Sequence, residues 1–363
     1  MDIELVFCGD TMLAPHRLGA DPFVKVRPML QGADLAFCNL ETSLASDAVR
    51  PLKRHVLMAD AENLDFLAGS GFAIVNLANN HILDNGLSAA RRMIELVEAK
   101  GMKTVGLREN GKAKQVIVER QGKKLGFLGY ADYGFPDTFM PLRERMALKE
   151  VSTLRAVVDC VVVSLHWGYE YVDFPHPNQQ RFARRLIDCG AQLVIGHHPH
   201  VVQGIEEYQG GLIAYSLGNF QFQIDLNDAY LNSGSGMILR VWRSGTGGLR
   251  YQTVPIETTA SGCVEARAGE AARRSQQRIL ELSWAVNGAD VGAPFWFREA
   301  AKIYFPQQLE SWRYRIAKYG SEQKLRMLLW LLKPFNFLLL LSHLACSSRA
   351  VRFKPAARPK LSR

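Results

Sequence analysis

Residues 190–204 read Gly-Ala-Gln-Leu-Val-Ile-Gly-His-His-Pro-His-Val-Val-Gln-Gly, so three histidines, His197, His198 and His200, fall within four positions. Imidazole is the commonest neutral metal ligand and suits Zn, Fe, Mn or Cu, so the cluster points to a metal site. Ligand-type side chains recur elsewhere: Asp10 after Gly9, Glu41 after Asn39-Leu40, Asn80-His81 with Asp84 just beyond, and His166 followed by Trp167-Gly168 and Glu170. Taken singly, Asp10 or Glu41 could cap a helix and Asn80 could stabilise a turn.

Each of these groups follows an apolar run of the kind that forms a strand buried on both faces. Leu5-Val6-Phe7-Cys8 precedes Asp10, Leu35-Ala36-Phe37-Cys38 precedes Glu41, and Ala73-Ile74-Val75-Asn76-Leu77 precedes Asn80. Val161–Leu165 precedes His166, and Leu193–Ile195 precedes the histidine cluster, with Gly196 read as the breaker that turns the backbone at the strand end. Five strand ends bearing Asp, Glu, Asn/His, His and His/His would meet in the crevice where open α/β sheets bind ligands.

Six segments in order, Gly-Asp-Thr-Met-Leu (9–13), Asn-Leu-Glu (39–41), Ala-Asn-Asn-His (78–81), Ser-Leu-His-Trp-Gly (164–168), Gly-His-His-Pro-His-Val (196–201) and Ser-Leu-Gly-Asn-Phe (216–220), carry a family resemblance. Over about residues 3–257 the chain closely resembles the CapA family of poly-γ-glutamate and capsule biosynthesis proteins, within the calcineurin-like metallophosphatase superfamily. The resemblance implies a four-layer α/β/β/α sandwich with two divalent metal ions at the strand ends. It makes Asp10 and Glu41 carboxylate ligands, with Glu41 bridging. Asn80, His166 and His198 would bind the second metal and His200 the first, while His81 would stand beside them as general acid or as stabiliser of the transferring group. Two cations about 3.5–4 Å apart can hold a hydroxide and stabilise both oxygens of an in-line displacement. Mixed N/O ligation without thiolates favours Mn, Fe or Zn over a structural zinc site.

The chain departs from the wider superfamily at Met12, a thioether where a histidine ligand is usual, and at Glu41, where Asp is usual. His197 is an additional histidine, open to a role as hydrogen-bond support, substrate contact or loop residue. Trp167, Glu170 and Asn219 are further candidates to line the pocket, with core or turn roles as the alternative. Arg54 stands where relatives carry an Arg before a Pro-Pro pair and could meet an anionic substrate.

The 363 residues can hold one large domain plus an appendage, and the 48% hydrophobic content suffices for a sizeable core. Six cysteines without a Cys-x-x-Cys pair, and an N-terminus that enters its first strand without a signal-peptide pattern, lead us to expect a reducing cytoplasm. Helices are expected near 61–69, 85–100, 144–156 and 176–189, a hairpin over 114–119 and 123–130, and strands at 212–217, 236–243 and 249–257. No GxxxxGK[ST] loop is present, so ATP-driven chemistry is not expected.

We divide the chain into a catalytic domain at 1–258, a helical extension at 259–346 and a basic tail at 347–363. In the extension, 265–286 reads as a charged helix, and Leu325–Leu332 and Phe335–Leu341 are apolar runs broken by Lys333-Pro334. That break argues against a transmembrane helix, leaving a packed helix pair or peripheral attachment to the inner face of a membrane. The +9 net charge comes largely from this end, which argues for lipid rather than nucleic acid. The expected function is phosphoester hydrolysis by metal-bound hydroxide, linked to an anionic polymer such as poly-γ-glutamate or capsule. The alternatives are a non-hydrolytic subunit of a membrane-associated synthesis or export complex, and acid–base chemistry (amide hydrolysis or epimerisation) on a peptide.

Overall fold

The computed structural model describes residues 2–13, 20–45, 56–132, 139–223, 234–288 and 292–347. The chain divides into two compact units, Met1–Ala293 and Pro294–Arg363. Arg54 and most of the basic tail lie outside the described residues.

The first unit is built on two stacked sheets. One runs, edge to edge, Val264–Ala266, Leu249–Thr258, Ser235–Arg243, Ile3–Thr11, Leu35–Leu40, Phe72–Asn76 and Lys103–Val105, with Asn219–Gln221 pairing beside Ile3–Thr11. The other runs Ile205–Tyr208, Gly211–Ala214, Leu193–His197, Cys160–His166, Lys123–Ala131 and Val116–Arg120. Continuous burial along Leu35–Leu40 and Cys160–His166 follows from their position between layers, where neither face meets water.

Three apolar clusters define four layers. Leu5, Phe7, Phe37 and Ile74 of the first sheet meet Phe127, Val162, Leu193 and Ile195 of the second, and the Phe37 and Phe127 rings stack at 6.3 Å. On the outer face of the first sheet, Val6, Cys8 and Val75 pack under Leu30, Leu67 and Met93 from the helices Arg27–Gly32, Leu64–Gly69 and Gly86–Ala99. On the outer face of the second, Val161, Val163 and Val194 pack under Val151, Leu154, Phe182 and Leu186 from the helices Glu144–Arg155 and Pro177–Asp188. The expected α/β/β/α sandwich is therefore the observed fold.

The expected helices, the Val116–Arg120/Lys123–Ala131 hairpin and the long strand pair around Ser244–Gly248 are all present. Two readings are corrected. Residues 264–266 do not begin a helix; they pair along Leu249–Thr258, giving that strand's outer backbone groups partners, and the helix starts at Gly269. Gly196 does not break its strand, which continues to His197. Its lack of a side chain serves close approach instead, because a Cβ there would lie 1.9 Å from the Tyr215 carbonyl oxygen. The helix Gly269–Asn287 packs on the first unit, where Ser283 Oγ accepts from the Ile205 amide and Asn287 donates to the Ile205 carbonyl.

The second unit is helical: Ala293–Tyr319, Glu322–Leu331 and Pro334–Ser347. Phe305 and Trp312 of the long helix pack against Trp330, and His343 Nδ1 lies 2.9 Å from the Ala301 carbonyl. Among the described residues no single helix is long and apolar enough to cross a membrane; the last two meet at 83° across Lys333-Pro334.

Candidate functional site

Parallel pairing aligns the polar strand ends. In the first sheet Asp10 stands opposite Asn39 on one side and Asn219 on the other, and Asn39 stands opposite Asn76. In the second, His166 stands opposite His197. Stacking then brings both rows to one end of the sandwich. Asn39 Nδ2 lies 2.8 Å from Asp10 Oδ1 and 3.1 Å from His166 Nδ1, while its own oxygen accepts from Asn76 at 2.8 Å. The His198 amide donates to Asp10 Oδ2 at 3.1 Å.

Glu41 is at the centre, fully buried. Its Oε1 lies 3.6 Å from His200 Nε2, 3.7 Å from His166 Nε2 and 3.9 Å from His81 Nε2. His166 Nε2 also lies 2.9 Å from Asn80 Oδ1, and the His198 ring is 4.8 Å from His166 and 5.8 Å from His200. His200 Nδ1 faces Asn219 Oδ1 at 3.0 Å, which leaves Nε2 directed at Glu41. His81 Nδ1 is held at 2.6 Å by Asp84 Oδ2.

Burial sets the protonation of these groups. It pushes the Asp10 carboxyl up, with His200 and the amides of Asn39 and His198 opposing. Burial and then the neighbouring histidines push His166 well down; burial lowers His200 and takes His197 down to about 3. Imidazoles held neutral keep a lone pair for a cation.

Two groups of donor atoms lie within 4.8 Å of one another: Glu41, His198 and His200, and Asp10, Glu41 and His166. They share Glu41, and His200 Nδ1 also lies 3.4 Å from Asp10 Oδ2. Carboxylates, neutral imidazoles and an amide oxygen converging in a buried pocket are a donor set that fits one or two divalent cations. The backbone supports a functional role: His198 (φ 95°) and His200 (φ 57°) both occupy the left-handed region, costing about 1–3 kcal/mol each.

The profile of the bacterial capsule synthesis protein PGA_cap matches residues 4–224. The chain belongs to that family. A capsule biosynthesis protein CapA of Bacillus anthracis is 32% identical over 246 residues, 61% of this chain and 60% of that protein. The match thus spans less than two thirds of that relative's length. A PGA biosynthesis protein CapA of Bacillus subtilis is 29% identical over 271 residues, 69% of this chain and 70% of that protein. Among solved structures, a hypothetical protein of Thermus thermophilus superposes with a TM-score of 0.48 at 16% identity, covering 70% of this chain and 99% of that one.

In this PGA_cap family member the structure brings together Asp10, Glu41, Asn80, His81, His166, His198 and His200, and it relocates others. His197 is fully buried between the sheets, stacked at 6.3 Å on Phe37 with its Nδ1 3.6 Å from Asp10 Oδ1, because strand alternation turns its side chain under the site while His198 leaves the strand. Trp167 is also a core residue and not a pocket wall: its ring stacks on Tyr215, and its Nε1 donates to the Tyr215 carbonyl. Asn219 supports His200, and Glu170 is half-buried in the turn after Cys160–His166. No sequence signal marked Tyr171 and Phe222, whose rings lie 5.9 and 4.8 Å from that of His200. Asn39, Asn76 and Asp84 stood in or beside the motifs, but their roles depend on register.

Proposed function

We propose that this chain is a metal-dependent hydrolase of phosphoesters, working in the assembly of a capsule-type or poly-γ-glutamate-type anionic polymer. The observation that carries the reading is Glu41 Oε1 within 3.6–3.9 Å of three imidazole nitrogens drawn from both sheets. Asp10, Glu41, Asn80, His166, His198 and His200 would hold one or two cations of the Mn, Fe or Zn type. Bound there, the metal would supply Lewis acidity and acidify a water molecule. His81 would carry the proton for the leaving-group oxygen, with Asp84 fixing its ring so that Nε2 faces the site. Asn39 would keep Asp10 and His166 in register, and Asn219 would do the same for His200. Tyr171 and Phe222 would wall the pocket beside His200. The names of the Bacillus relatives supply the link to polymer synthesis.

The test is elemental analysis of protein purified without chelator, alongside turnover of p-nitrophenyl phosphate and bis-p-nitrophenyl phosphate. We expect bound Mn, Fe or Zn and metal-dependent phosphate release. Glu41→Ala and His198→Ala should lose the metal and at least 100-fold in activity together, with circular dichroism unchanged. Normal turnover by a metal-free variant, or wild-type protein with neither metal nor turnover, would overturn the reading. A second reading, acid–base chemistry on a peptide amide, rests on the 2.6 Å His81–Asp84 pair; turnover of a γ-glutamyl peptide that survives chelation would favour it.

A further inference from the structure

The helices Glu322–Leu331 and Pro334–Ser347 use their inner faces within the second unit. Trp330 packs against Phe305 and Trp312, Leu339 is buried, and Asn336 Nδ2 donates to the Trp330 carbonyl. Their other faces carry Leu325, Leu328 and Leu332, then Leu338, Leu341 and Leu344, each between 47% and 65% exposed. Spacings of three and four in the first set, and of three in the second, make each a stripe along its helix. An apolar surface of this extent on an otherwise packed unit marks a contact surface.

We propose that these stripes lie on an anionic lipid surface. From Glu322 to Arg363 the sequence contains nine Lys/Arg against one acid, Glu322, with Lys324, Arg326 and Lys333 exposed on the helices and six more beyond residue 347. Leucines flanked by an excess of cations match the bilayer interface, where apolar side chains enter the acyl boundary and the charges meet acidic headgroups. A second copy of the chain would set nine cations against nine. At 1.5 Å per residue the helices of 10 and 14 residues span about 15 and 21 Å, so neither alone makes a ~30 Å crossing, and the 83° bend sets the second out of line with the first. The surface therefore rests on the membrane without spanning it. This inference stands apart from the hydrolase reading, since none of its residues belongs to the metal-type site.

Full-length protein would be sedimented with phosphatidylcholine vesicles and with vesicles containing 30% phosphatidylglycerol. Near an acidic surface each basic residue raises partitioning about fivefold, so we expect at least 30-fold preference for the acidic vesicles, lost in 0.5 M NaCl. Leu328→Ser with Leu341→Ser should cut binding at least 20-fold with an unchanged melting temperature. Arg326→Glu with Lys333→Glu, on exposed positions, should do likewise and serves if the serine variant misfolds. The proposal is overturned by wild-type protein that stays in the supernatant, or by equal binding to both vesicles. It is also overturned by binding that resists both salt and alkaline carbonate, or by a soluble dimer that the serine variant dissolves.

Discussion

Unfolding of the metal-free protein should become easier in mild acid, and His197 allows the size of the effect to be isolated. The residue is fully buried, and among the described residues neither ring nitrogen has a hydrogen-bond partner. Burial holds its pKa at about 3, against an ordinary value of 6.5 in the unfolded chain. Below pH 6.5 the unfolded state therefore binds a proton that the native state refuses, so stability falls as pH drops and is unaffected above about 7. One proton taken up on unfolding corresponds to about 1.4 kcal/mol per pH unit once uptake is complete; with the unfolded imidazole half protonated at pH 6.5, the loss between pH 6.5 and 4.5 is about 2 kcal/mol. Against a typical total of roughly 5–15 kcal/mol that is a large share. His166 and His200, also pushed down, act with the same sign. Asp10 opposes them: its raised carboxyl keeps a proton in the native state above pH 3.8, where the unfolded carboxylate has lost it. His197→Phe removes one proton's worth of this slope, with an aromatic ring still stacked on Phe37, and also lifts the part of the His166 depression that comes from His197, which acts in the same direction. Urea unfolding in EDTA at pH 7.5, 6.5, 5.5 and 4.5 measures it. The stability difference between variant and wild type should widen by at least about 2 kcal/mol from pH 6.5 to 4.5. A difference that stays constant would refute the claim that native His197 is neutral.

Two further outcomes are expected. Gly196→Ala sets a Cβ 1.9 Å from the Tyr215 carbonyl oxygen, so the paired backbones must separate; we expect about 3 kcal/mol of destabilisation, read as a fall of about 10 °C in melting temperature. Asp84→Asn takes the charge from His81 while leaving the donor set intact, so metal content should hold and kcat for p-nitrophenyl phosphate should fall 10–100-fold, with KM little changed. Wild-type kcat in that variant would remove His81 from the proposed chemistry.

The layered fold was legible because buried parallel strands write themselves as Val/Ile/Leu runs, and Val161–Leu165 or Leu193–Ile195 admit few other readings. The central side chains were legible because Asp10, Glu41, Asn80, His166 and His198 each end or follow such a run. What could not be read was which way a residue points once its strand is paired. His197 and His198 are neighbours, yet one faces Phe37 between the sheets and the other approaches His166, a choice made by the pleat and by the positive φ of His198. Gly196 was misread, and the choice between core and pocket for Trp167 stayed open, for the same reason: both positions answer to Tyr215, on a segment some 20 residues or more away.

The asparagines explain why the site and the fold are one problem. A buried cluster of two carboxylates and three imidazoles is costly unless its polar atoms are partnered. Asn39 supplies partners across the layer boundary, from Asp10 in its own sheet to His166 in the other, and is itself held by Asn76. The His198 amide crosses the same boundary to reach Asp10. These bonds exist only when the two sheets stack in one register, so the network that orients the candidate ligands also selects that stacking. A slip of one residue between strands would turn Asn39 to the opposite face and leave Asp10 and His166 buried without it. The motif Asn-Leu-Glu at 39–41 thus does two jobs within three residues: its first residue fastens the sheets, and its last stands among the imidazoles they bring together.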